Sequence, residues 1–236
     1  MVNIDKISLK FGTLPVLEQL SFEIKKEEIV ALIGPSGCGK STLLNVIAGL
    51  IPSDSGEVRK AGDAVSFIFQ DDRLLPWCSI WKNISLVENK EDRQKIQKLI
   101  DDVGLTGFEH YRPAQLSGGM KKRCGIARAF YHQSTLLLMD EPFQGLDYCL
   151  RQEMLKLLLS VWESRKQSIL FVTHEIEEAL SVADRILVLS GRPAEIVQEI
   201  TLPPRAERTD THPELIRARR EIMAVITAQG EENDKH

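Results

Sequence analysis

The chain has 236 residues, enough for one domain of ordinary size with a sizeable core and too many for a small disulfide-stapled scaffold. Its 30 Lys and Arg stand against 34 Asp and Glu, a formal charge of -4, so no global basic field would gather nucleic acid or anionic lipid. Apolar residues at 43% and charged residues at 27% are proportions of a soluble globular protein, with little room for extended disorder.

The longest charge-free window, Ser41 to Ser53, is 13 residues, short of the roughly 20 that cross a bilayer as a helix. The stretch from Met1 to Gly12 alternates like a strand and lacks a basic segment followed by an apolar one, so no secretory signal is expected. Cys38, Cys78, Cys124 and Cys149 form no CxxC pair and have no His at ligand spacing. Reduced thiols in the cytosol are expected, and no structural metal centre.

In chain order, Ile4, Ile7, Leu9 and Phe11, then Phe22 and Ile24, predict an antiparallel sheet near the N-terminus. Ile29 to Ile33, Thr135 to Met139, Ser168 to Val172 and Ile186 to Leu189 are continuously apolar, the mark of strands covered on both faces. A helix from Asp147 to Trp162 carries Leu150, Met154, Leu157, Leu158 and Val161 as its core stripe. These elements predict an α/β domain with a largely parallel sheet. Residues 71–130 read as helices without a buried strand, hence an inserted helical subdomain, with the core in 1–70 and 131–236. Beyond Leu202-Pro203-Pro204 an amphipathic helix from Glu214 to Ala228 presents Leu215, Ile222, Val225 and Ile226 to the core, and the GEENDKH end is expected to fray.

The segment Gly34-Pro35-Ser36-Gly37-Cys38-Gly39-Lys40-Ser41 fits GxxxxGK[ST] between the strand ending at Ile33 and a helix opening at Thr42. Its glycines let successive amides point at phosphate oxygens, and the helix adds its positive N-terminal end. Lys40 would reach the β and γ phosphates, and the Ser41 hydroxyl suits Mg2+. The bland alternative is a glycine-rich turn joining strand to helix. Asp140, ending the run Leu136 to Met139, would hold Mg2+ through water, and Glu141 would act as general base on the attacking water, the alternative being a surface acidic pair at a strand end.

Leu116-Ser117-Gly118-Gly119-Met120 has no role in a generic phosphate-loop enzyme, and with it the chain resembles the ATPase subunit of ABC transporters over nearly its whole length. The P-loop NTPase core with an N-terminal antiparallel β subdomain and an inserted helical subdomain is the fold this implies. The resemblance places Phe11 as the aromatic that stacks on adenine, although Phe11 could equally be strand core. It gives Gln70, closing the strand Val65 to Phe69, to magnesium and the attacking water, and His174 to the γ-phosphate; either residue alone would more often be structural. Ser117, Gly118 and Gly119 would open a helix whose hydroxyl, bare amides and dipole form a second anion site, serving the ATP of another copy in a head-to-tail homodimer. Asp147 would cross that interface.

Leu74-Leu75-Pro76-Trp77 and the tail from Leu202 to Ile222 are similar to the importer branch for nitrate, sulfonate and taurine. That implies a membrane permease contacted near Trp77, an extracytoplasmic solute-binding protein, and a peripheral place on the cytoplasmic face. An alternative for Trp77 is burial in the subdomain core. Other readings are an exporter or lipoprotein-release ATPase and a soluble relative acting on DNA or ribosomes. Four residues depart from the family's pattern: Met120 in place of the commoner glutamine of the signature, Lys122 where glutamine is usual, Gly125, which weakens the following helix, and Gln144 where a small residue is common.

Overall fold

The computed structural model describes residues 1–60, 62, 64–209 and 211–233, the last five of these without side chains. In chain order the elements are β1 (Val2–Phe11), β2 (Leu14–Ile24), β3 (Ile29–Ile33), α1 (Lys40–Ala48), β4 (Ser55–Lys60), β5 (Val65–Ile68), α2 (Ile80–Ser85), α3 (Arg93–Asp102), α4 (Gly118–Tyr131), β6 (Leu136–Asp140), α5 (Tyr148–Arg165), β7 (Ser168–Val172), α6 (Ile176–Val182), β8 (Arg185–Leu189), β9 (Ile196–Thr201) and α7 (Pro213–Asn233). Contacts divide the chain into two compact units, Met1–Asp63 with Ser168–His236, and Ala64–Gln167.

The first unit holds the predicted antiparallel sheet, in the order β2-β1-β4. Buried Ile4 and Ile7 on β1 are three residues apart where strict alternation needs two. The ladder shifts register between them, and Lys6 takes a φ of +50°, so the extra residue returns Ile7 to the core face. Leu17 and Leu20 on β2 repeat the device, with Gln19 at φ +46°.

A second sheet in this unit runs β7-β3-β8-β9. Its first three strands are parallel, Ala31 of β3 lying between Phe171 and Ile186, and every residue of β3, β7 and β8 is buried. Parallel neighbours send their following loops out of the same edge, so the segments after Ile33 and after Val172 emerge together. The edge strand β9 pairs antiparallel with β8, and its alternation of half-buried and exposed residues escaped the sequence reading. Leu215, Ala218 and Ile222 of α7 are buried, Val225 and Ile226 half-buried, and Arg219 pairs with Glu177 of α6 at 2.6 Å. The tail before α7 closes the C-terminal end of α6: Arg208 donates to the carbonyls of Leu180 (2.9 Å) and Ala183 (2.7 Å), and burial pulls its pKa down to about 10. The end expected to fray begins as helix, since α7 runs to Asn233; residues 234–236 lie outside the described residues.

In the second unit β5 and β6 are parallel, Val65 opposite Leu136 and Ile68 opposite Met139. No strand lies between them among the described residues; the segment 71–130 carries α2, α3 and most of α4. Ile80 and Ile84 of α2, Ile96, Leu99 and Ile100 of α3, and Ile126 and Phe130 of α4 make its core. Fully burying each such side chain contributes about 1.5–3 kcal/mol. This unit also takes in β5, β6 and α5. On α5 the buried face is Met154, Leu155, Leu158, Val161 and Trp162; Leu150 and Leu157, expected in the stripe, sit half-buried at its margin. No helix among the described residues is long and apolar enough to cross a membrane.

Candidate nucleotide site

The phosphate-loop motif is the turn between β3 and α1. Gly39 has φ +120°, and a Cβ there would meet Val16 Cγ1 at 2.9 Å and Leu17 Cδ2 at 3.0 Å; one at Gly34 would meet Leu189 Cβ at 3.0 Å. Strand β2 and the end of β8 therefore press on the loop, and glycine is what fits. No side chain caps α1, and its first turn holds no acid, so the helix N-terminus keeps its attraction for an anion. Ser41 is exposed in that first turn, and Thr42 half-buried.

Lys40 folds back over the loop. The residue is 6% exposed, and its ammonium donates to the carbonyls of Gly34 (2.8 Å) and Pro35 (2.7 Å). A cation held by neutral carbonyls gains more from an ionised phosphate, so the resting contact keeps the side chain at the loop without competing strongly with a ligand. Burial raises the pKa of the Cys38 thiol beside it, an effect that Lys40 partly offsets.

Two braces on this edge were not legible in the sequence. Arg192, between β8 and β9, donates through Nε to the Gly37 carbonyl at 3.2 Å and also through Nη2. Buried Thr173 donates to Glu178 at 2.6 Å and accepts from the amide of Glu175 at 3.0 Å, fixing the turn that carries His174. His174 is exposed, its Nε2 3.9 Å from Glu175. Phe11, 53% exposed at the end of β1, is not strand core.

In the second unit Asp140 ends β6, and Glu141 follows with φ +44°, a left-handed conformation that costs about 1–3 kcal/mol in a residue with a Cβ. The turn continues through Gln144, whose amide donates to the Glu141 carbonyl at 3.2 Å and whose Oε1 accepts from Gln70 Nε2. Gln70 and the acidic turn are thus brought together, as the parallel β5 and β6 require. Ser117 caps α4 through a 3.2 Å bond from the Met120 amide, Gly118 is exposed, and Gly119 is buried against Leu150. Asp147 caps α5, accepting from Leu150 at 2.9 Å. Trp77 is 69% exposed, which removes the core alternative for it.

A phosphate loop, a capped helix opening on SGG and a strained Asp-Glu turn accompany a match of residues 17–144 to the ABC transporter family. The chain belongs to that family. It is an ATPase of the α/β cassette type. The cassette is 41% identical over 212 residues to the aliphatic sulfonates import ATP-binding protein SsuB 2 of Pseudomonas syringae, covering 89% of this chain and 91% of that protein. It is 36% identical to the taurine import ATP-binding protein TauB of Yersinia pestis, over 98% and 99% of the two chains. Among solved structures, a dimeric ATP-binding cassette, MJ0796, in a post-hydrolysis state with ADP and Pi superposes with a TM-score of 0.74 at 27% identity, covering 86% of this chain and all of that one.

Proposed function

We propose that the cassette is the energy-coupling ATPase of an importer for a small sulfonate or taurine-like solute, working as a head-to-tail homodimer on the cytoplasmic face of a membrane permease supplied by an extracytoplasmic solute-binding protein. The observation that carries this reading is near full-length likeness to two importer ATPases, joined to a Trp77 that stands in solvent. Segment 71–130 is the helical subdomain that meets the permease.

Site roles follow from chemistry. The amides of 34–39 and the N-terminus of α1 bind the phosphates; Lys40 exchanges the Gly34 and Pro35 carbonyls for β and γ oxygens. Phe11 stacks on the base. Glu141 takes the proton of the attacking water, and His174 donates to the γ-phosphate. Ser117, Gly118 and Gly119 bind the γ-phosphate of the ATP held by the partner copy, so the nucleotide joins the two copies until it is hydrolysed.

Ser41, Asp140 and Gln70 supply hydroxyl, carboxylate and amide oxygens, the hard donors that Mg2+ takes. When bound, Mg2+ neutralises charge on the phosphates.

The test is the Glu141→Gln chain. It should keep ATP affinity, lose nearly all turnover and accumulate as a dimer in light scattering with saturating ATP and Mg2+; a monomer under those conditions would sink the shared-nucleotide reading.

A further inference from the structure

Two of the four departures from the family's pattern meet at one residue. Gln70 leaves β5 with its side-chain amide and its main-chain carbonyl both engaged, and the partners are Gln144 and Lys122. The ammonium of Lys122 lies 2.8 Å from the Gln70 carbonyl and 3.3 Å from the Asp72 carboxylate, with only 11% of the side chain exposed. Arg128, one and a half turns further along α4, donates to the carbonyls of Arg73 (2.8 Å) and Asp72 (2.9 Å). Three carbonyls in the run from Gln70 to Arg73 are therefore bonded to cations of α4, the helix that Ser117 caps. On the other side Gln144, in the turn of Glu141, accepts from Gln70 Nε2.

The direction of that last bond matters. A glutamine amide has a donor end and an acceptor end that are nearly alike in shape, and only the oxygen can meet a metal cation. With Nε2 committed to Gln144, the acceptor Oε1 is the end left to face the nucleotide's cation. Partners that orient a ligand in this way raise its affinity for metal without touching the metal themselves.

We propose that Lys122 and Gln144 are positioning residues, Lys122 holding the main chain of Gln70 and Gln144 setting its amide so that Oε1 is presented to the divalent cation. The proposal rests on the reading of Gln70 as a ligand of that cation. Their contacts are with Gln70 and Asp72. Replacing a small residue by Gln144 supplies the acceptor, and replacing glutamine by Lys122 supplies a charged donor that reaches the Gln70 carbonyl and Asp72 together, so the two departures act on one side chain.

The experiment measures Mn2+ affinity by electron paramagnetic resonance in the full chain loaded with a non-hydrolysable ATP analogue, beside analogue affinity in EDTA. Gln144→Met keeps the length of the side chain and removes the acceptor; because Gln144 is exposed, the variant should fold with its melting temperature little changed. It should weaken Mn2+ binding by up to about tenfold, leave analogue affinity in EDTA unchanged, and raise the Mg2+ needed for half-maximal hydrolysis. Lys122→Met should act in the same sense. If Gln70→Ala weakens Mn2+ binding and both other variants bind it like the parent chain, the positioning proposal is overturned while the role of Gln70 stands. If Gln70→Ala itself binds Mn2+ normally, both fall. Equal loss of analogue affinity with and without metal in Gln144→Met would also overturn it, as a general disturbance of the site.

Discussion

The four cysteines occupy four environments, and their reactivity follows from burial. Burial at α4 pushes the Cys124 thiol up to about 12, and burial in the phosphate loop raises that of Cys38. Cys78 is half-buried and Cys149 exposed. A maleimide at pH 8, read by mass spectrometry of the native chain, should label Cys149 first and Cys78 more slowly, leaving Cys38 and Cys124 until denaturant is added. Early labelling of Cys124 would contradict the packing of α4. At the same scale, motifs disclose some candidate site residues and miss the side chains that brace them. Lys40, Ser41, Asp140 and Glu141 sit in short patterns whose spacing is itself the signal, whereas Arg192 and the pair Thr173 and Glu178 act through contacts made only by folding.

At the scale of elements, one helix end is closed by a side chain from distant sequence, and one helix interior has room to be filled. Arg208 caps the C-terminal end of α6 from a turn that follows β9; Arg208→Ala leaves the Leu180, Ala183 and Pro203 carbonyls without that donor. A loss of about 1–3 kcal/mol in urea unfolding is expected, with ATP affinity retained. Gly125 offers the opposite case. It lies inside α4 with helical backbone, and an added Cβ would meet nothing within 4 Å. Gly125→Ala should stabilise the chain by about 0.5–1 kcal/mol, seen as a higher melting temperature. No gain would mean that the space beside it is needed.

For the whole molecule the proposed permease contact is tested at Trp77, which is 69% exposed. Trp77→Ala should leave the ATPase activity of the isolated cassette within about twofold and weaken pull-down of the permease subunit by about tenfold or more, as loss of an aromatic anchor does at an interface. Unchanged pull-down would remove Trp77 from that interface. The Leu74-Leu75-Pro76-Trp77 segment was legible as a motif, but whether its tryptophan faced solvent or core was open until the fold placed it.

The sequence alone determined the α/β class, the positions of the four continuously apolar strands, the phosphate loop and the helix opening at Ser117, because each is written in local pattern: burial on both faces, glycine spacing, or a hydroxyl before a helix. Tertiary structure decided what periodicity does not encode. It chose the bulges that correct the phase of β1 and β2, the edge strand β9, the solvent-facing choice for Phe11 and Trp77, and the meeting of Lys122 and Gln144 at Gln70. Lys122 and Gln144 are 52 and 74 residues from Gln70 along the chain, so their bonds to it exist only once α4 and the turn after β6 have been packed beside β5.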